Sequence, residues 1–374
     1  MLTLGLLINP VAGLGGAVAL KGSDGAAIQA QARSRGGIPR GNERARKALD
    51  AAGPATHRVR WLTWGGEMGA DALEAAGVAA ETLGMPADPP DAENTRRAAR
   101  ALLAAGADLI VFCGGDGTAR DVLSAVARQV PALGIPAGVK MHSGVFATTP
   151  ESAGRIIAAL VDGGLVRASV AEVRDLDEAA LRKGEVRPRF YGEMAVPEAG
   201  GFLQHTKAGG RESEALALEE IVAEITERIA DQPGIYLLGP GGSLAAIKSA
   251  LGLAPTLIGV DVLQDGRQAA SDVDARWLER FLGGQSEAAT LVVSFTRGQG
   301  FLLGRGNQQF SPAVLRHIGR ARLWVVGTRT KLLSLEGRPL LIDTDDPELD
   351  RQWSGLVEIV TGYRDSLFYR IDSG

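Results

Sequence analysis

The chain carries a single cysteine, Cys113, among 374 residues. One thiol cannot close an internal disulfide, and it excludes a metal site built on a cysteine cluster. Cys113 sits in an apolar run, where a buried small hydrophobe is the ordinary role. Histidine is scarce as well, with four in all. His142 has no cysteine or histidine near it at ligand spacing, so it reads as a surface or capping residue, and no metal-ligating cluster is expected. Apolar runs are short. None approaches the roughly 20 residues needed to span a bilayer. A net charge of −4 leaves no electrostatic footprint for nucleic acid. The N-terminus runs straight into the strand-like segment 2–8, without the basic start and small-residue cleavage site of a signal peptide. These absences predict a cytoplasmic protein whose partners are small molecules, not nucleic acid or membrane. No solenoid repeat and no low-complexity segment is visible.

What is present is an ordinary folding composition, 45% hydrophobic and 22% charged. The length suggests two domains. Over residues 1–165 strand and helix patterns alternate: strands at 2–8, 58–64, 108–112 and 132–136, helices at 42–52, 69–76, 95–105, 119–127 and 152–161. Asn42 is a candidate N-cap. Such alternation predicts a parallel sheet with helices on both faces. Segment 22–41, rich in Gly, Ala and Arg, is weakly patterned and reads as a flap. Near Gly163-Gly164 the texture changes. Segments 165–173 and 186–196 read as antiparallel strands, 212–230 as a helix, and a second strand–helix alternation fills 234–326, including a strand over 256–262. The second domain is therefore expected over 166–336. Residues 337–374 are expected to return to the first domain, because the short run 340–343 cannot form a sheet alone.

Five glycine-rich constellations stand out, four of them directly after predicted strands. The most informative is Gly114-Gly115-Asp116-Gly117-Thr118, between the apolar run 107–113 and a helix. Glycines there admit close approach of an anion to backbone N–H groups, and a helix N-terminus favours negative charge. A carboxylate in such a turn is costly beside phosphate unless it deprotonates a hydroxyl or organises a metal ion. Strand, loop and helix therefore point to phosphoryl transfer, with Asp116 as the reacting carboxylate. An ordinary turn is the simpler reading, since Asp-Gly also suits turns that need positive φ. The second loop runs from Asn9 through Gly13 and Gly15 to Gly16, with Lys21 following closely; it is neither a Walker A loop nor G-x-G-x-x-G. The third is 134–143, with Lys140 and Ser143. The fourth, Gly239-Pro240-Gly241-Gly242-Ser243, precedes Asp261 by about twenty residues, the spacing at which an acid can accept from a ribose hydroxyl. The fifth, 298–309, sets Arg305 and Asn307 among glycines and suits polar recognition of sugar or phosphate.

Taken together, these motifs resemble the NAD kinase and diacylglycerol kinase superfamily, most closely its divergent ATP-NAD kinase-like, acetoin-catabolism X-like branch. The signature is Gly114–Thr118. Asn9-Pro10 with its glycines is similar to the superfamily's first phosphate loop, and 134–143 to its third. The runs Leu20-Lys21-Gly22-Ser23-Asp24 and Gly298–Gln309 also match the branch, and the likeness extends from Leu4 to about Tyr369. The resemblance implies an α/β fold with a Rossmann-like parallel N-terminal sheet and a second mixed α/β domain. It implies ATP or inorganic polyphosphate as donor, Mg²⁺, and the adenosine-ribose 2′-hydroxyl of NAD as acceptor. Asp116 matches the aspartate that acts on this hydroxyl; Gly114, Gly115, Gly117 and Thr118 match the phosphate-contacting loop. Lys21, Arg120 and Lys140 are the cations expected to offset phosphoryl charge.

The chain also departs from this pattern. The family's Asn-Glu pair has its nearest counterpart at Glu193, and its Gly-Ser-Thr-Ala-Tyr run is echoed only in 242–246. Two rival readings stand beside NAD phosphorylation: a kinase for another small hydroxyl or keto compound or a lipid, and a nucleotide-binding regulator without catalysis. A homo-oligomer is expected.

Overall fold

A computed structural model of the chain describes residues 1–14, 26–87, 91–137, 141–176, 188–198 and 214–373. It divides into two compact units, Met1–Asp162 with Ala168–Ala199, and Gly163–Arg167 with Gly200–Gly374.

The first unit contains strands β1 (Thr3–Ile8), β2 (Arg60–Thr63), β3 (Ala80–Thr82), β4 (Leu109–Gly114) and β5 (Ala132–Pro136). Its helices are α1 (Ala26–Ser34), α2 (Gly41–Ala52), α3 (Ala70–Ala75), α4 (Ala92–Ala104), α5 (Asp116–Val126) and α6 (Pro150–Val161). The strands form one parallel sheet in the order β3-β2-β1-β4-β5. All six residues of β4 are buried, as a strand covered on both faces requires. Helices α4 and α5 pack on one face over Leu7, Leu62, Ile110 and Phe112. Helices α2 and α6 pair so closely that a Cβ on Gly154 would lie 2.2 Å from the Ala48 carbonyl oxygen. Asp91 caps α4 and Thr149 caps α6 through side-chain oxygens.

Strand order reverses between β1 and β4. In open parallel sheets this is where ligands bind, beyond the carboxyl ends of the strands. The loops that leave these two strands begin at Asn9 and Gly115.

Strands β6 (Val166–Leu176) and β7 (Pro188–Glu198) pair with each other. Val173, Met194 and Val196 join the α4–α5 core, so this pair belongs mostly to the first unit.

The second unit comprises α7 (Glu214–Asp231), β8 (Ile235–Leu238), α8 (Gly242–Ala250), β9 (Asp261–Gln264), β10 (Arg267–Ala270), α9 (Ala275–Gly283), β11 (Thr290–Ser294), β12 (Phe301–Leu303), α10 (Pro312–Ile318), β13 (Leu323–Val326), α11 (Arg329–Leu333), β14 (Leu340–Ile342), α12 (Pro347–Trp353), β15 (Gly355–Gly362) and β16 (Asp365–Ser373). The strands run β10-β9-β8-β11-β13-β15-β16-β14-β12. β8, β11, β13 and β15 are mutually parallel; β9 and β16 are antiparallel to their neighbours β8 and β15. One face buries Ile221, Ile225, Leu244 and Ile247 of α7 and α8; the other buries Leu278, Leu282, Leu315 and Trp353 of α9, α10 and α12. This is an α/β chain with a parallel first sheet and a mixed second one.

Several expectations are corrected here. Residues 340–373 do not return to the first sheet. β14, β15 and β16 lie inside the second, where β16 is flanked by β15 and β14 and buries Leu367, Phe368, Tyr369 and Ile371. The short run 340–342 need not stand alone, because β12 and β16 flank it. The units also divide near 162, not at 165–166, with β6 and β7 falling mainly in the first. The expected strand over 256–262 begins only at Asp261; Leu257 and Ile258 are exposed loop residues, 61% and 80% accessible. Part of the expected flap is helical, as α1; residues 15–25 lie outside the described residues. Asn42 lies inside α2, not at its cap, and donates through Nδ2 to the Glu67 carbonyl at 3.1 Å.

Candidate active site

The site builds from β4. The strand ends at Gly114, Gly115 is the extended N-cap (φ −123°, ψ −166°), and Asp116 opens α5. An acid in the first turn complements the helix dipole. Gly115 therefore needs no left-handed conformation, and neither Gly114 nor Gly117 has positive φ; the turn expected from Asp-Gly is absent. Gly114 is required by space instead. A Cβ there would fall 2.3 Å from Thr118 Oγ1.

Asp116 is buried, 6% accessible, and its carboxylate is held by backbone. The His142 N–H donates to one oxygen at 2.7 Å and the Ser143 N–H to the other at 3.0 Å. Ser143 Oγ in turn donates to the Arg174 carbonyl at 2.7 Å and accepts from the Arg174 N–H at 3.0 Å. Thus α5, the loop after β5 and strand β6 are tied in series through one carboxylate and one hydroxyl. The first loop joins them. Asn9 Nδ2 donates to Thr118 Oγ1 at 2.9 Å, while its Oδ1 accepts from the Val11 N–H at 3.1 Å. Gly13 has φ +79°, and a Cβ on it would sit 2.8 Å from the Ala137 carbonyl oxygen. Asn9, Gly13, Gly114, Gly115, Asp116, Thr118 and Ser143 are therefore assembled at the β1/β4 crossover. Gly15, Gly16, Lys21 and Lys140 lie outside the described residues.

Other expected site residues have different work. Arg120 is not a free cation: it pairs with Asp175 at 2.9 Å and stands over the Tyr191 ring at 5.5 Å. Glu193 is exposed and pairs with Arg128 at 3.5 Å. Asp261 cannot meet a ribose. It opens β9 instead of ending a parallel strand, and it is fully buried against Lys248 at 2.8 Å. Thr256 and Ser271 hydroxyls and the Asp272 N–H also bond it. Burial opposes its charge, but the Lys248 bond and these donors outweigh that and hold its pKa low; burial pulls the Lys248 ammonium below its usual value. Asn307 is likewise consumed, donating to the Leu302 carbonyl and accepting from the Gly304 N–H. Arg305 lies over the Phe301 ring. Gly241, Gly242 and Ser243 lead into α8 on the second unit, with no side-chain cap.

Sequence reasoning missed one cation on the first unit. Arg44 of α2 has a buried Nε without a hydrogen-bond partner, and its positive field reaches Cys113, the residue before Gly114. The signal was faint: an arginine among several in 40–46. Cys113 itself donates to the Gly41 carbonyl at 3.2 Å, and burial pushes its thiol up to about 12.

This arrangement places a buried carboxyl group among glycine loops at a helix N-terminus, the equipment for moving a phosphoryl group between bound oxygens. Residues 7–165 match the ATP-NAD kinase N-terminal domain, and residues 234–371 match the ATP-NAD kinase C-terminal domain. The chain belongs to the ATP-NAD kinase family. It is a kinase, and the family's two domains account for most of its length. No curated protein matches the chain in a direct sequence search.

Among the described residues no three acids, histidines or cysteines gather into a metal site. A lone carboxylate amid glycine-rich loops suits Mg²⁺, which is commonly held by one or two carboxylates together with substrate phosphates. Among the described residues no helix is long and apolar enough to cross a membrane.

Proposed function

We propose that this kinase phosphorylates the 2′-hydroxyl of the adenosine ribose of NAD, giving NADP, with ATP or inorganic polyphosphate as donor. The observation that carries the reading is the Asp116 carboxylate, fixed by the His142 and Ser143 amides at the β1/β4 crossover. Each carboxylate oxygen retains acceptor capacity beyond its one backbone bond. Asp116 takes the proton of the acceptor hydroxyl as that oxygen bonds to the terminal phosphorus. The bond to the bridging oxygen breaks, and the shortened donor leaves with the electron pair. Backbone N–H groups around Gly114–Thr118 and the Asn9 loop cradle the donor phosphates, with Lys21, Lys140 and Arg44 as counter-charges. Mg²⁺ carried by the donor would sit against Asp116 and neutralise developing phosphate charge.

A second acceptor class has a specific observation in its favour. Asp261 and Asn307, the groups expected to read a nucleotide's sugar, are both engaged internally. A small polyol, keto compound or lipid would not need them. The deciding experiment incubates the protein with Mg²⁺ and NAD, using ATP in one arm and polyphosphate in the other, and assays NADP. NADP in either arm supports the reading. Donor hydrolysis or phosphorylation of a polyol without NADP overturns the NAD assignment while keeping the chemistry.

A further inference from the structure

The second unit holds a lysine that the Asp116 site does not use. Ser294 ends β11, and Lys331 lies in the short helix α11 that follows β13. β11 and β13 are parallel neighbours, with Ser294 opposite Val326. Their carboxyl ends therefore lie side by side at one end of the sheet, with the loop after β11 and helix α11 above them. Lys331 Nζ donates to Ser294 Oγ at 2.8 Å, and Ser294 Oγ donates to the Val326 carbonyl at 2.8 Å. The ammonium also stands 4.9 Å from the centre of the Phe295 ring.

Among the described residues no carboxylate balances this charge. Glu214, the acid whose field reaches it, is bonded to Arg297. Burial, followed by the repulsion of Arg297, pulls the Lys331 ammonium down to about 8. A half-buried cation held without a counter-charge is costly, and such groups concentrate at functional sites. Its frame is rigid. The Gly298 N–H donates to Ser334 Oγ at 3.1 Å, and Ser334 Oγ donates to the Lys331 carbonyl at 2.6 Å, which ties the loop after β11 to α11.

We propose that Lys331, held in place by Ser294 Oγ, binds the phosphate group of a small metabolite on the second unit. Ser294 spends its one hydroxyl proton on the Val326 carbonyl, so the free donors are the two remaining N–H groups of the Lys331 ammonium, a compact point charge of the kind that binds phosphate. Neither residue belongs to the Asp116 constellation, so this site stands or falls apart from the kinase reading.

Differential acylation of the intact protein tests it. The chain has only seven lysines, so mass spectrometry after brief acetic anhydride treatment resolves each rate. Pyrophosphate at ten times its half-saturating concentration is expected to slow acylation of Lys331 about tenfold. Lys47, an exposed residue of α2 paired with Glu43, keeps its rate. Ser294→Ala, checked for native circular dichroism, is expected to need several-fold more pyrophosphate for the same protection. In Lys331→Met, calorimetry with pyrophosphate is expected to show one binding event fewer than the parent. An unchanged Lys331 rate at millimolar pyrophosphate, equal protection by acetate, or an unaltered calorimetric isotherm in Lys331→Met overturns the proposal.

Discussion

Asp116→Asn is the customary way to silence a catalytic aspartate while keeping its shape, and here it is expected to loosen the fold as well. The native carboxylate offers an acceptor to each of two backbone donors, His142 N–H at 2.7 Å and Ser143 N–H at 3.0 Å. An asparagine has one acceptor oxygen; its amide nitrogen must then face an N–H with another N–H. One charge-assisted bond becomes neutral and the other is lost, leaving a buried donor unsatisfied at about 1–3 kcal/mol. Loss of the negative charge from the first turn of α5 adds about 0.3–1 kcal/mol. The sum is about 1–4 kcal/mol, concentrated where α5, the loop after β5 and β6 meet. Hydrogen exchange on the peptide covering 141–146 should accelerate, and urea should unfold the first unit earlier. Ser143→Ala severs the next link, to Arg174, so the double variant should lose less than the two single losses added together. If Asp116→Asn leaves exchange at 141–146 unchanged and stability within about 0.5 kcal/mol of the parent, the range of an ordinary surface substitution, the carboxylate does not brace this loop. Activity of the folded variant is read separately and should fall about 10²–10⁴-fold, the usual share of a general base.

Three other outcomes follow from geometry. Gly114→Ala should destabilise by about 1–3 kcal/mol because its Cβ meets Thr118, whereas Gly283→Ala, whose Cβ meets nothing within 4 Å, should unfold like the parent; an equally small loss for both would refute the steric argument. Lys248→Met strands the fully buried Asp261 charge and should cost about 3–5 kcal/mol in urea unfolding; a loss below about 1 kcal/mol would show that water reaches the pair. Lys331→Met should be more stable than the parent at pH 7, by about 1–3 kcal/mol. The folded ammonium lies at about 8 and the unfolded one near 10.5, so the penalty is complete below pH 8 and fades as pH rises towards 10.5; a stability gap that widens over that range would contradict the sign.

Much of the first unit was legible in the chain. Fully buried β4 advertised itself as a continuous apolar run, and the amphipathic segments became α2, α4, α5 and α6. The loops at Asn9, Gly114 and Ser143 were found from glycines at strand ends, and the structure joins them. β3 escaped because its three residues, Ala80, Glu81 and Thr82, are all exposed and carry no pattern. Elsewhere the errors have a common cause: a residue's chemistry was read before its depth. Asp261 stood at the right distance from a glycine loop to hold a ribose, but Lys248 shares the inward face of α8 with Leu244 and Ile247 and claims it. That spacing of three and one was visible, yet lysine there reads as surface. Leu257 and Ile258 looked like strand core and are loop tips. The final strands were misassigned because their partners, β12 and β13, are set by tertiary pairing that no local pattern encodes.

The burial of Cys113 has a practical consequence. With its thiol pushed up to about 12, the thiolate fraction near neutral pH is about 10⁻⁵–10⁻⁴, and the sulfur faces the Gly41 carbonyl beneath α2. A thiol reagent can modify the native protein only after α2 lifts from the end of β4. The sole cysteine thus reports on exposure of the end of β4, and a cysteine engineered on the surface can carry a probe without first removing the natural one.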